Sequence, residues 1–307
     1  MAITEIFDGF YRINLPISRG GFMSFLDSWL IEDTSRGQTI LVETGPASAV
    51  PQLLRALAEK HVTRIDYLIY THIHLDHAGG AGQFIANWPN TKVLAPEHGR
   101  QHLANPSRLV AGTLTTLGSI FDTYGEPIPV PQENLISGDI PGLTVIDTPG
   151  HAPHHSSYIY EIGGKRVLFT GEAAGFWIVT DSGEYFSRPS TPHKFFYDDA
   201  IESLDKLMTL KGIDIVCFPH SGYLTDAHVV FETAAKQMRL WLDILSELPS
   251  GATPDDAVDA LRERDPVLAL LSKLPKDVRM RENFSIRQSA TGYLGWIERE
   301  RDREESF

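Results

Sequence analysis

Apolar and polar positions change their period several times along the chain. Gly9 to Leu15, Phe22 to Glu32 and Thr39 to Val42 are rich in aromatic and branched residues and predict strands, broken at Arg19-Gly20-Gly21 and Arg36-Gly37. From Ala47 to Lys60 the residues Leu53, Leu54, Leu57 and Ala58 recur at helical spacing. The continuous apolar run Ile65 to Tyr70 then predicts a buried strand. A helix from Ala81 to Trp88, a strand at Val93 to Ala95 and helices between Glu97 and Leu117 follow. At Gly142 the period returns to strands: Leu143 to Asp147, Ser156 to Ile162 and Arg166 to Thr170, the last two joined as a hairpin by Gly163-Gly164. A helix over Asp198 to Leu210 and a strand over Ile213 to Phe218 close this half. The order β-rich, α/β, β-rich, α/β predicts two sheets with helices on their outer faces. After Gly222 the strands stop, and Thr225 to Leu248, Asp255 to Arg264, Pro266 to Leu274 and Asn283 to Arg303 read as helix.

Charge narrows the partners. The chain of 307 residues carries 27 Lys+Arg against 40 Asp+Glu, a net of −13, which argues against nucleic acid or an anionic membrane as partner. At 42% hydrophobic and 22% charged residues, the composition is that of a globular protein with a real core. Cys217 is the single cysteine, so no internal disulfide forms, and it reads as a small core residue. Met1 to Phe10 lack a basic stretch leading into an apolar one, so the expected address is the cytoplasm. No run approaches the ~18 apolar residues of a membrane span.

Histidine makes up 12 of 307 residues, yet Thr71-His72-Ile73-His74-Leu75-Asp76-His77 gathers a cluster of them around an aspartate. The segment follows a buried strand and precedes Gly79-Gly80, on a loop where α/β sheets keep their sites. Imidazole and carboxylate together suit zinc, iron or manganese. His72 and His74, two apart on extended chain, project to the same side and can share an ion. Asp76 and His77, where the chain turns into a helix, can face a second.

The pattern H-x-H-x-D-H after a buried strand resembles the signature of the metallo-β-lactamase-fold hydrolase superfamily. Thr148-Pro149-Gly150-His151, Phe169-Thr170-Gly171-Glu172 and Phe218-Pro219-His220-Ser221-Gly222, each after a predicted strand, resemble the remaining motifs in order. The resemblance implies an α/β fold, a four-layer αββα sandwich, over residues 1–224. Residues 225–307 would form a C-terminal helical extension, a pocket lid or a dimer interface. It implies that His72, His74 and His151 hold one divalent metal and Asp76, His77 and His220 another, zinc before iron or manganese. Glu172 would bridge both, together with a hydroxide. The family usually has aspartate where Glu172 and Glu43 stand, and a longer side chain displaces its carboxylate unless the loop moves back.

The implied activity is dinuclear metal-dependent hydrolysis of an ester, thioester or lactone of a small molecule, as in the glyoxalase II-like, lactonase and quinolone-signal thioesterase-like branches. Asp76 and Glu172 would serve the chemistry, and Tyr223 would donate to a developing oxyanion. His154 and His155 resemble a motif variant of the thioesterase-like branch. Rival readings are a mononuclear iron persulfide dioxygenase using His72, His151 and Glu172, and a ligand sensor with a vestigial metal site. Phe22, Phe25 and Trp29, Phe176 and Trp177, and Phe195, Phe196 and Tyr197 are the aromatic clusters available to wall a pocket. The helical tail is expected to roof it.

Overall fold

Strand alternation sorts the core into two parts. In the computed structural model, which describes residues 3–118 and 120–305, strands β1 (Ile3–Phe7), β2 (Phe10–Leu15), β3 (Leu26–Asp33), β4 (Gln38–Val42), β5 (Tyr67–Ile69), β6 (Lys92–Leu94) and β7 (Leu135–Ile136) form one sheet in that order. Of the remaining strands, β8 (Leu143–Asp147), β9 (Ser156–Ile162), β10 (Lys165–Phe169), β13 (Ile215–Cys217) and β14 (Tyr223–Leu224) form a second sheet in the order β14-β13-β10-β9-β8. Strands β11 (Phe176–Val179) and β12 (Tyr185–Arg188) make a separate hairpin.

Ile40 and Val42 of β4 join one buried cluster while Leu41 joins the other; Val167 and Phe169 of β10 divide from Leu168 in the same way. The first cluster lies between the sheets: Phe10, Trp29 and Ile69 meet Tyr158, Tyr160 and Cys217. The second takes the outward faces together with Leu53 and Leu57 of helix α1 (Val50–Glu59) and Leu204 and Leu207 of the helix Tyr197–Met208. Strands with both faces apolar require cover on both faces, which makes the expected four layers. Gly163 and Gly164 at the β9–β10 turn both have positive φ, 58° and 73°, as a two-residue hairpin requires.

The other helices are α2 (Leu75–Ala78), α3 (Ala81–Asn87), α4 (Glu97–Ala104), α5 (Ser107–Leu117), α6 (Ile120–Tyr124), α7 (Tyr197–Met208), α8 (Ala227–Ser246), α9 (Pro254–Arg264) and α10 (Lys276–Glu305). Among the described residues no helix is long and apolar enough to cross a membrane.

Differences from the predicted elements fall where periodicity is short or masked by charge. β1 and the β11–β12 hairpin lie outside the predicted strands, and Phe22 to Phe25 form a turn ahead of β3. Strands do not stop at Gly222, because Tyr223 and Leu224 pair with Cys217 and Val216. Pro266–Lys273 is wound as 3-10 turns. Helix α10 begins at Lys276, earlier than Asn283, since its first turns are charged and carry no apolar period. Val229 is exposed, whereas its neighbour Val230 is buried with Met238, Trp241 and Leu245 on the inner face of α8.

Local signals start the tail helices. Asp226 caps α8 by accepting from the Val229 N–H at 3.0 Å, and Thr253 and Asp256 form a capping box on α9. Tyr293 of α10 packs against Trp241 of α8 and Phe195, with ring centroids 5.8 and 5.0 Å apart. Gly292 lets α10 lie directly on the chain at Pro192, whose carbonyl oxygen a side chain would strike. Polar contacts fix the same helix: Glu282 accepts from Arg188 Nε of β12 at 2.6 Å and from Arg281 Nε at 2.7 Å, and Arg281 donates to the Gly21 carbonyl.

Glu282 is wholly buried, so its removal strands two guanidinium groups in the interior. Glu282→Ala is expected to lower the unfolding free energy by about 3–5 kcal/mol, read as a reduced urea midpoint at unchanged slope. A loss under about 1 kcal/mol would show that this contact does not hold α10.

Candidate metal centre

Every predicted ligand lies in the segment that follows a strand. His72, His74, Asp76 and His77 follow β5, with His74 at the N-terminal boundary of α2 and Asp76 and His77 within it. His151 follows β8, Glu172 follows β10 and His220 follows β13. Two of the three described non-glycine residues with positive φ stand beside these ligands: Glu43, at 64°, follows β4, and Ser221, at 62°, follows His220. Such backbone is held in place only where the surroundings over-determine it.

The structure brings the donors together as two adjacent sets, His72, His74, His151 and Glu172, and Asp76, His77 and His220, the ligand atoms of each within 4.8 Å of one another. Glu172 Oε2 lies 2.9 Å from His151 Nε2, 3.3 Å from His77 Nε2 and 3.4 Å from His72 Nε2, while Oε1 is 3.7 Å from His220 Nε2. One carboxylate therefore faces both sets. Separations near 3 to 4 Å are those of ligands sharing an ion at ~2 Å.

Hydrogen bonding supports a metal. His72 Nε2 and both ring nitrogens of His77 are buried and without a hydrogen-bond partner among the described residues. Buried polar atoms are otherwise almost always satisfied. Thr71 gives its hydroxyl proton to Glu43 Oε1 at 2.7 Å, so it accepts from His72 Nδ1 at 3.1 Å and leaves Nε2 as a lone pair. His151 Nδ1 donates to the Ser190 carbonyl at 2.9 Å, which likewise frees Nε2; that atom faces His74 Nδ1 at 2.9 Å. Orienting contacts of this kind are the usual surroundings of metal-bound histidine.

Burial drives His72, His74 and His220 toward the neutral, ligating form. Burial opposes charge on Glu172 as well, but the His151, His72 and His77 contacts outweigh it and keep the carboxyl well below its usual range. His77 shows the opposite balance: against burial, Asp76, Glu172 and Glu43 raise it to about 9. The carboxylates thus leave the site short of positive charge, and the residues present fit divalent cations.

His155 is buried behind Glu172 rather than among its ligands. Its Nε2 accepts from the Glu172 N–H at 3.1 Å, so its Nδ1 donates to Thr148, and a hydroxyl chain runs on through Ser157 to the Thr170 carbonyl. Gly171 has φ 51°, and a side chain there would collide with His155 and Thr71. Ser190, which no sequence motif marks, donates to Glu172 Oε1 at 2.5 Å and also holds His151.

A cavity of about 420 Å³ opens over the donors, lined by His74, Asp76, His151, Glu172 and His220 at its base. Phe22 and Phe25 wall it, and Arg281, Phe284 and Gln288 of α10 reach it from the tail. Trp29 belongs to the inter-sheet core, and Phe195 packs on Tyr293. Tyr223, expected near an oxyanion, instead sets its ring edge-on to Trp29 at 6.2 Å and is not among the described lining residues. Among the described residues Tyr124 is the tyrosine that lines the cavity; burial, with Asp76 and Glu172 nearby, keeps its phenol protonated. His61, His98 and His228 are exposed, and exposed His193 lines the cavity mouth.

The model of the Metallo-beta-lactamase superfamily matches residues 25–220. The chain is 26% identical over 215 residues to the metallo-beta-lactamase fold-containing protein ST1585 of Sulfurisphaera tokodaii, covering 65% of this chain and 74% of that one. It is 30% identical over 199 residues to a hydroxyacylglutathione hydrolase of Hahella chejuensis, covering 64% of this chain and 62% of the relative. Thioesterase pkgB of Emericella nidulans is 30% identical over 138 residues, 43% of this chain and 32% of the relative. The solved structure of ST1585 from Sulfolobus tokodaii superposes with a TM-score of 0.59 over 84% of this chain and 96% of that one, at 22% identity, a likeness of fold. The matched span runs from the turn before β3 to His220 and holds the whole donor cluster, and on that ground the protein belongs to the metallo-β-lactamase superfamily.

Proposed function

We propose that this chain is a dinuclear metal hydrolase, with zinc the first choice, that cleaves a thioester of a small molecule. The observation that carries the reading is Glu172, whose carboxylate faces two complete donor sets at the base of one cavity. His72, His74 and His151 would hold one ion, Asp76, His77 and His220 the other, and Glu172 would reach both. Bound divalent ions supply water of lowered pKa and polarisation of the attacked carbonyl. A one-ion oxygenase on His72, His151 and Glu172 would leave Asp76, His77 and His220 without a task. Thioesters are favoured over other esters and lactones because two of the relatives are named hydroxyacylglutathione hydrolase and thioesterase.

The protein's own side chains prepare the reaction. Thr71 and the Ser190 carbonyl fix the tautomers of His72 and His151, so that lone pairs face the site before substrate arrives. Phe22, Phe25 and Leu75 give the substrate an apolar wall and thin out bulk water around the scissile bond. Tyr124, protonated and beside the ligands, is placed to donate a hydrogen bond to substrate.

Protein purified without chelator is expected to carry about two ions per chain by elemental analysis, and His220→Ala to carry fewer. Saturation at one ion, unchanged in His220→Ala, would refute the dinuclear assignment. Glu172→Ala is expected to lose at least about a hundredfold in kcat/KM on an acyl thioester and to bind one ion weakly. Glu172→Asp should keep both ions less tightly, because the loop on His155 is set for the longer side chain. Wild-type metal content and rate in Glu172→Ala would remove this residue from the ligand set.

A further inference from the structure

The cavity has a second polar feature that the metal chemistry does not use. Arg188, Glu282 and Arg281 are 5%, 0% and 7% exposed, and both arginines line the cavity. Two guanidinium groups, which stay charged in proteins, share the single carboxylate of Glu282. A positive charge is left over at the wall. Asp277, exposed in the first turn of α10, accepts from the Gly21 N–H and acts on Arg281 through its charge, but the two form no ion pair among the described residues.

The hydrogen bonds of Arg188 and Arg281 engage Nε and Nη1 of each, and among the described residues none engages either Nη2. Aromatic faces hold the groups in place without neutralising them: the guanidinium carbon of Arg281 lies 4.2 Å from the Phe25 ring centre, and that of Arg188 lies 4.6 Å from Phe176. Fastening α10 would need only one ion pair, and a buried surplus charge is unfavourable unless an anion meets it. The His220 ring stacks on the same Phe25, also at 4.2 Å between centres, so the Arg281 guanidinium is no farther from that ring than twice this distance. Phe25, His220 and Arg281 all line the one cavity, and a short carbon chain passing the Phe25 ring covers such a distance.

We infer that Arg281 and Arg188 form a carboxylate subsite, and that the preferred substrates are short acyl thioesters carrying a free carboxylate a few carbons from the scissile carbonyl. This rests on the hydrolase reading for the bond that is cut, but not for the anion that is bound. The planar guanidinium edge matches a carboxylate better than any group on the apolar wall does. The subsite also explains why α10 roofs the cavity with arginine, which an apolar lid would not require.

The test compares the metal-loaded protein on S-glutaryl- and S-pentanoyl-N-acetylcysteamine, which differ only in the terminal carboxylate. The glutaryl ester is expected to be favoured at least about tenfold in kcat/KM, mainly through KM. That ratio should fall toward one in Arg281→Met and recover in part in Arg281→Lys. Calorimetry should show glutarate binding more tightly than pentanoate by a similar factor, with the difference lost in Arg281→Met. A wild-type ratio near one in both measurements overturns the subsite, even if Arg281→Met does not fold, and so does a ratio that survives in a folded Arg281→Met. Tighter glutarate binding without cleavage of either thioester would leave the subsite standing and reject the hydrolase reading; cleavage of both at equal efficiency would do the reverse.

Discussion

A buried polar atom left without a hydrogen bond costs about 1–3 kcal/mol, and the centre of this protein holds several. His72 and His77 turn unpartnered nitrogens toward the Glu172 carboxylate, and the Asp76 carboxylate lies 3.5 Å from His77 Nε2. Without cations such an arrangement is a concentration of desolvated dipoles and partly compensated charge. With them the same nitrogens and carboxylates would serve as ligands. The neighbouring architecture can be understood as what is needed to hold these donors together against their own solvation.

Two sheets hold them because strand ends are stiff and close together at one edge of the sandwich. Around the donors, a surrounding layer of hydrogen bonds sets their state: the Glu43–Thr71–His72 chain, the Ser190 bridge between His151 and Glu172, and the hydroxyl relay behind His155. Both glutamates that depart from the usual family aspartates belong to this arrangement. Glu172 reaches forward from a loop seated on His155, whereas Glu43 stays behind Thr71 with left-handed backbone. The longer side chains are thus absorbed at two separate places.

The tail completes the site from above. Trp241 and Tyr293 bury α8 and α10 against each other, and Gly292 brings α10 onto the Pro192 backbone. Apolar packing would suffice to dock the helix, yet a buried Arg-Glu-Arg cluster sits at the point where it crosses the cavity. The residues that dock α10 are thus also residues that line the cavity above the donor cluster.

Much of this was legible along the chain. Continuous apolar runs such as Ile65 to Tyr70 marked buried strands because a strand covered on both faces leaves no polar alternation, and the dense His72 to His77 segment declared its chemistry because its ligands are neighbours in sequence. His151, Glu172 and His220 were legible as motifs after strands. Short or charged elements, such as β11, β12 and the first turns of α10, left no period to read. Tyr223 stands next to a ligand in sequence but turns to Trp29, because pairing with Cys217 fixes its strand direction. Tyr124, Ser190, Arg188 and Arg281 carry no motif, since they reach the cavity from elements far apart along the chain. The sequence by itself determined which donors exist and where strands would present them. Only the tertiary structure decided which faces meet over the donors, because side chains far apart along the chain become neighbours only when the sheets and α10 pack.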